Sequence, residues 1–212
     1  MEGDLAAAVI PLFPLHTVLF PGAALPLHIF EERYRQLVRE RRDFGVVLIR
    51  EGREVGSVPQ VHDVGTLAAI EEVEELPDGR YNIMTRGQHR FRLRSTAEPA
   101  PYLRGELEDL PDPPPDASPR LLALLDEYLQ LHGLTVAPQL STALAVPIAS
   151  DAAPRRAVWL AGAVLQAEPA KRQALLESGD PALAEALLEA EIERIQRLGH
   201  LQAVPPAGFS PN

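Results

Sequence analysis

The segment QHRFRLRS, residues 88–95, sets Arg90, Arg92 and Arg94 at every second position, with Phe91 and Leu93 between them. Successive side chains of an extended strand point to opposite faces, so this spacing predicts a basic stripe backed by an apolar one. Such a stripe suits the binding of anionic groups, acidic termini or phosphate. It equally suits a charge ladder facing Glu71, Glu72, Glu74 and Glu75 of a neighbouring strand. Those glutamates could in principle work as acid and base in a hydrolase, with Glu72 and Glu75 as the pair, but a run of this kind usually forms a solvated strand face.

Other catalytic chemistry finds little to work with. His16, His28, His62, His89, His132 and His200 are scattered, and none has the H-E-x-x-H spacing that presents two imidazoles to one metal. His28, with Glu31 and Glu32 nearby, reads as a hydrogen-bonded corner. The chain has a single lysine, Lys171, in QAEPAKRQALLES. A phosphate-cradling loop needs glycines that let backbone N–H groups approach the phosphate, followed by lysine and a hydroxyl residue. Lys171 has neither. A Ser/Lys dyad would need the same lysine desolvated and neutral, whereas its polar setting predicts a solvated side chain. No metal, cofactor or catalytic residue is expected.

With 20 basic and 30 acidic residues the formal charge is −10, which opposes binding to a phosphate backbone. The absence of cysteine removes disulfides and thiolate chemistry and is compatible with a reducing compartment. The start, MEGDLAAAVIPLF, carries acidic residues where a secretory signal would be basic. No stretch approaches the roughly 18 apolar residues of a membrane span. The expectation is a cytoplasmic protein with no membrane role.

The elements that would hold these residues fall into two groups. EDLPDPPPDASP, residues 108–119, replaces apolar patterning with proline and aspartate and divides the chain. Before it, FGVVLIR at 44–50 reads as a buried strand, and Asp78-Gly79 between two extended runs reads as a hairpin turn. In TLAAIEEVEEL the apolar residues fall three apart, which alone would indicate a helix; the hairpin at its end favours a strand carrying a bulge. After the divide, Ser118-Pro119 caps a helix ending at Gly133. PRRAVWLAGAVLQ and AKRQALLES are shorter helices separated by Pro169, and a long helix runs from Asp180-Pro181 to Gly199.

FPGAALPLHIFEERY, residues 20–34, is the most heavily punctuated stretch. Pro21-Gly22 fits the centre of a type II turn, and Pro26 holds Leu25 extended so that the chain rejoins a sheet edge. From about Phe30 the spacing of Phe30, Tyr34, Leu37 and Val38 predicts an amphipathic helix. Glu31 and Glu32 lie in its first turn and Arg39, Arg41 and Arg42 in its last, with a Glu31–Arg35 pair along one face.

This stretch and its surroundings carry a resemblance. PLFPLHTVLFPGAALPLHIFEERYRQLV with FGVVLI, then VGTLAAIEEVEELPDGRYNIMTRGQHRFRL, PYLRGELEDLPD and KRQALLES, resemble the amino-terminal substrate-binding domain of the Lon proteases over about residues 9–200. The resemblance implies an α+β fold: a PUA-like β pseudobarrel with a short helix over 1–110, a Pro/Asp-rich linker over 111–119, a helical bundle over 120–200 and a flexible tail over 201–212. It carries over no catalytic residue. It implies a non-catalytic module that binds unfolded or exposed peptide segments, through a surface to which Phe20, Pro21, Tyr34 and Arg90 would contribute if turn and sheet edge leave them exposed. Two other functions stand beside it: an adaptor or regulator of a separate protease, and RNA binding through the PUA-like barrel.

Overall fold

A computed structural model describes residues 9–54, 59–97, 101–112, 118–133 and 153–202. Six strands, β1 (Val9–Leu15), β2 (Ala24–Ile29), β3 (Asp43–Glu51), β4 (Gln60–Glu75), β5 (Tyr81–Ala97) and β6 (Arg104–Leu110), form one mixed sheet. Its order is β2-β5-β4-β3-β1-β6, and β6 also pairs with β5. The pairings of β1, β3, β4, β5 and β6 therefore close a ring, outside which β2 extends β5. The length of β5 makes both contacts possible: residues 81–86 pair with β2 and residues 90–97 with β6. Only β1 and β3 run parallel.

Strands β1 and β3 and the middle of β4 are buried on both faces. One small core, with Ile10, Leu12, Val47, Leu67, Phe91 and Leu107, fills one side; the larger core lies on the other, against the helices. This explains the misleading periodicity of β4. Leu67 enters the small core while Ala68 and Ile70 enter the large one, so apolar residues three apart serve opposite faces of one strand. The expected bulge is present as register shifts at Thr66/Ala68 and Ile70/Glu72. The Asp78-Gly79 hairpin closes with Gly79 N donating to Leu76 O at 2.8 Å.

The described helices are α1 (Glu32–Glu40), α2 (Pro119–Leu131), α3 (Ala153–Val164), α4 (Pro169–Ser178) and α5 (Pro181–Gln202). Helix α1 begins later than its apolar spacing predicts. Ile29 still pairs with Tyr81 in the sheet, so Phe30 is a junction residue, 53% exposed, and Glu31 occupies the N-cap. With Glu31 off the helical row, it pairs with Arg33, and Glu32 pairs with Arg35, in place of the expected Glu31–Arg35 contact. Arg41 and Arg42 lie beyond the helix, and Arg41 bonds Asp43. Ser118 caps α2, accepting from Leu121 N at 3.1 Å, with Pro119 in the first turn. Ser118 and Arg120 bond Glu185 and Glu189 respectively, and Gln196 bonds Glu127, so α2 and α5 run parallel. Helix α5 passes Gly199, its expected end, because a glycine stops a helix only where the backbone turns left-handed. Residues 113–117 of the expected linker and 203–212 of the expected tail lie outside the described residues.

The FPG turn joins sheet to helices. Ala23 N donates to Phe20 O at 3.1 Å and Gly22 has φ +80°, the values of a turn that needs glycine at its third position. Gly22 N then donates to Gly87 O at 2.8 Å, fixing the turn on β5. Its tightness drives the Phe20 ring inward against Trp159, 6.3 Å between ring centroids, and over Gly162 of α3, where any Cβ would overlap the ring. One apolar cluster thus runs unbroken from Phe13 and Phe44 through Phe20 to Trp159, Leu175 and Leu188. Phe20→Ala is expected to cost about 3–5 kcal/mol, read as a lower urea midpoint at unchanged slope, and Gly162→Ala to destabilise through the same contact.

Candidate functional site

Two arginines, the buried Arg90 and the half-buried Arg172, dominate the boundary between sheet and helices. Arg90, on β5, is 3% exposed. Its Nη1 donates to Leu176 O at 2.8 Å and Glu177 O at 3.2 Å, its Nη2 donates to Pro111 O at 2.6 Å, and its guanidinium lies 4.8 Å above the Trp159 ring. Leu176 and Glu177 are in the last turn of α4, where carbonyls lack partners in their own helix and the dipole is negative. Arg172, from α4 itself, does the same for α3. Its Nε donates to Gly162 O at 3.1 Å, its Nη2 to Val18 O at 3.2 Å, and it covers the Phe20 ring. Burial lowers the pKa of both guanidiniums, and for Arg90 the Asp112 carboxylate partly offsets this. Guanidinium nevertheless stays protonated. Gln173 adds a third tie, donating to Val64 O at 2.9 Å.

This arrangement corrects the exposure expected of three candidate binding residues. Phe20 is fully buried and Tyr34 is 4% exposed, stacked on Phe13 at 4.0 Å with Arg33 over its ring. Arg90 is buried as described. The predicted stripe consequently divides: Arg92 and Arg94 remain exposed, and Arg94 pairs with Glu108. Nor does the stripe face the glutamates of β4. The hairpin at 78–79 fixes the register so that β4 residues 72–75 meet β5 residues 81–84, and Thr66 meets Arg90. Glu71 therefore pairs with Arg86 at 2.6 Å and Glu74 accepts from Asn82 at 2.9 Å, while the acidic partner of the stripe is Glu108 of β6, opposite Arg92 and bonded to Arg94. Counting residues outward from the Asp78-Gly79 turn gives the pairing of 72–75 with 81–84 from sequence, and the two bulges beyond it offset each other so that Thr66 still meets Arg90.

Pro21 is half-buried, and the exposed apolar surface lies further along the chain. Phe30 is the most exposed of the large apolar residues described, and its ring lies 6.3 Å from His28. Along β2 the half-buried Leu25 and Leu27 pack on the rim of the large core, while Ala24, Pro26 and His28 are exposed. Leu27, Ile83 and Val73 form a row across β2, β5 and β4, and Val73 at its end is 39% exposed. His28 is bonded, but not to Glu31 or Glu32: Nδ1 lies 2.8 Å from Asn82 Oδ1 and Nε2 accepts from Arg80 at 3.1 Å. Phe30 and the β2 leucines were missed because Phe30 fitted a helical spacing; Pro26, a residue suited to sheet edges, was the available signal. Lys171 is exposed, and among the described residues no three His, Asp or Glu side chains gather as a metal would need.

The fold and this surface define an α+β module: a mixed sheet tied to helices through Arg90 and Arg172, with β2, among the described residues, left at an open edge. A family profile for the substrate-binding domain of the ATP-dependent protease La (LON) matches residues 9–196, and the chain belongs to that family. It is 28% identical to the Lon protease of Desulfovibrio desulfuricans over 95% of this chain and 24% of that protein. With the Lon protease of Parabacteroides distasonis it shares 37% identity over 52% of this chain and 14% of that one. The chain thus spans a quarter or less of these relatives. A crystal structure of a Lon N-terminal domain protein from Xanthomonas campestris superposes with TM-score 0.60 at 28% identity, covering 94% of this chain and 99% of that one. The N-terminal domain of Mycobacterium avium complex Lon protease has the same fold, with TM-score 0.56 at 19% identity over 88% and 98% of the two chains.

Two measurements check the roles of the buried residues. Arg90→Met leaves carbonyls of α4 and of Pro111 without a donor, and should destabilise by about 2–4 kcal/mol. Arg90→Lys keeps the charge but loses the fork and should recover only part of this in urea melts. Burial pushes the Tyr34 hydroxyl up to about 12, against about 10 in the unfolded chain. Tyr34 contributes its full stability below pH 10, and that contribution, about 2–3 kcal/mol, is lost as pH rises towards 12. Wild type should therefore lose this stability across that alkaline window, and the difference between its profile and that of Tyr34→Phe should change there and stay constant below it.

Proposed function

We propose that this chain is a substrate-recognition module that binds unfolded or exposed polypeptide segments and has no ATPase or peptidase of its own. The observation that carries the reading is the match of a substrate-binding-domain family across residues 9–196, almost the whole described structure. The absence of a phosphate-cradling lysine motif and the solvated position of Lys171 agree with it. So does the apolar border formed by the half-buried Leu25 and Leu27 and the exposed Phe30, since a module that recognises unfolded chains must offer apolar surface to water. In this reading the closed ring of strands is a PUA-like pseudobarrel, the helical half a bundle that braces it, and the protein works in the cytoplasm. No described helix is long and apolar enough to cross a membrane.

The geometry gives RNA little to hold. Arg90 is buried, Arg94 is paired with Glu108, and the formal charge is −10. An adaptor role beside a separate protease is compatible with recognition and differs in what happens after the client is bound.

Fluorescence anisotropy with one labelled model protein, in its reduced, carboxymethylated unfolded form and in its native form, tests the proposal. The unfolded form is expected to bind at least about tenfold more tightly, a difference of roughly 1.4 kcal/mol. Equal, weak binding of the two forms would refute it.

A further inference from the structure

The recognition reading leaves open how a client is held, and the edge of β2 answers this. Among the described residues β2 pairs on one side only, with β5. The phase of that pairing is fixed at its start, where Gly87 N donates to Ala23 O at 2.9 Å. In an antiparallel ladder alternate residues face the partner, so Leu25, Leu27 and Ile29 turn their backbone groups to β5. Thr85 Oγ1 donates to Leu25 O at 2.9 Å, which agrees. Ala24, Pro26 and His28 therefore turn theirs away from the sheet. Pro26, with no N–H, falls in the outward set, where it breaks no bond to β5. The free edge offers the N–H groups of Ala24 and His28 and the carbonyls of Ala24, Pro26 and His28, spaced as an added strand requires.

Side chains on both faces fit the same guest. On the inner face Leu25 and Leu27 are only half-buried at the rim of the large core, so inward side chains of an added strand would extend that core. On the outer face Pro26 is exposed, with Phe30 at the strand end. Charge selects among extended segments. On the adjoining hairpin Glu71 pairs with Arg86 and Asp78 with Arg80. Among the described residues Glu72, Glu74 and Glu75 have no cationic partner; Glu74 and Glu75 accept only from the neutral Asn82 and Tyr81. A second copy of this chain would bring another Pro26 to the edge, lacking a donor, and the same β4 carboxylates, separated from β2 by β5, adding like charge. A basic guest relieves the charge.

We infer that β2 captures an extended client segment, apolar at alternate positions and flanked by lysine or arginine, as an added strand of the sheet. This rests on the recognition reading and specifies its geometry. The probe is a short fluorescein-labelled peptide with valine and threonine alternating in the middle and lysines at both ends. It is compared with a glutamate-ended counterpart and with two versions N-methylated on alternate sets of backbone amides.

The lysine-ended peptide is expected to bind, more weakly at higher salt, and at least roughly tenfold more tightly than the glutamate-ended one. Methylating one alternate set should abolish binding and methylating the other should leave it intact. Ala24→Pro removes an outward N–H from an exposed alanine and should weaken binding roughly fivefold or more. Glu72→Lys should reduce the preference for lysine ends. If Ala24→Pro lowers the thermal midpoint, the methylated peptides decide, since they leave the protein untouched.

Unfolded protein that binds while neither Ala24→Pro nor methylation matters would overturn strand addition and leave recognition standing. Failure of unfolded protein and peptides alike would overturn both. A concentration-dependent dimer that Ala24→Pro dissolves, without peptide binding, would make a second copy the occupant and overturn the inference.

Discussion

The fold depends on positive charge placed where helices end inside the protein. A helix that terminates against a sheet leaves its last carbonyls without partners, and in a dry interior each such group is costly. Arg90 and Arg172 supply donors to the last turns of α4 and α3, and the negative ends of those helices in turn stabilise guanidiniums that burial has stripped of much of their water. The aromatic faces of Trp159 and Phe20 complete their surroundings. Neither residue is merely adjacent to both layers. Arg90 is a sheet residue bonded to a helix, and Arg172 a helix residue bonded to the loop after β1.

That joint fixes what remains free. With the helices held on one side, the outer ends of the sheet must be dealt with by pairing. The long β5 serves two neighbours in succession, closing the ring with its second half and recruiting β2 with its first. Among the described residues the edge problem is thereby confined to one short strand. Pro26 on β2 and the carboxylates nearby limit indiscriminate pairing at that edge, as natural sheets commonly do. The half-buried leucines and Phe30 leave the same place partly apolar.

The FPG turn shows how one feature can serve fold and function differently from the way its composition reads. An exposed turn with phenylalanine beside proline looks like a contact surface. Here the turn is exposed enough to be half-buried at Pro21, yet its purpose is to aim Phe20 the other way, into the helical layer over Gly162. The exposed apolar surface begins only after the chain has re-entered the sheet.

Local chemistry was legible in the sequence wherever a short stretch determines its own conformation. The Pro21-Gly22 and Asp78-Gly79 turns, the Ser118 cap and the helices of the second half follow from backbone angles and side-chain bonds that act within a few residues. The charge and the missing nucleotide motif were equally plain, as was the family, through punctuation at characteristic spacing. What tertiary structure decided was the fate of side chains that are ambiguous alone. Arg90 alternates with Arg92 and Arg94 as any exposed strand residue would, and only the arrival of α4 from 80 and more residues away makes it a buried joint. Phe30 kept helical spacing with Tyr34, but pairing of Ile29 to β5 held it outside the helix and in water. Periodicity reports how neighbours along the chain are disposed; burial is set by distant segments that periodicity does not encode.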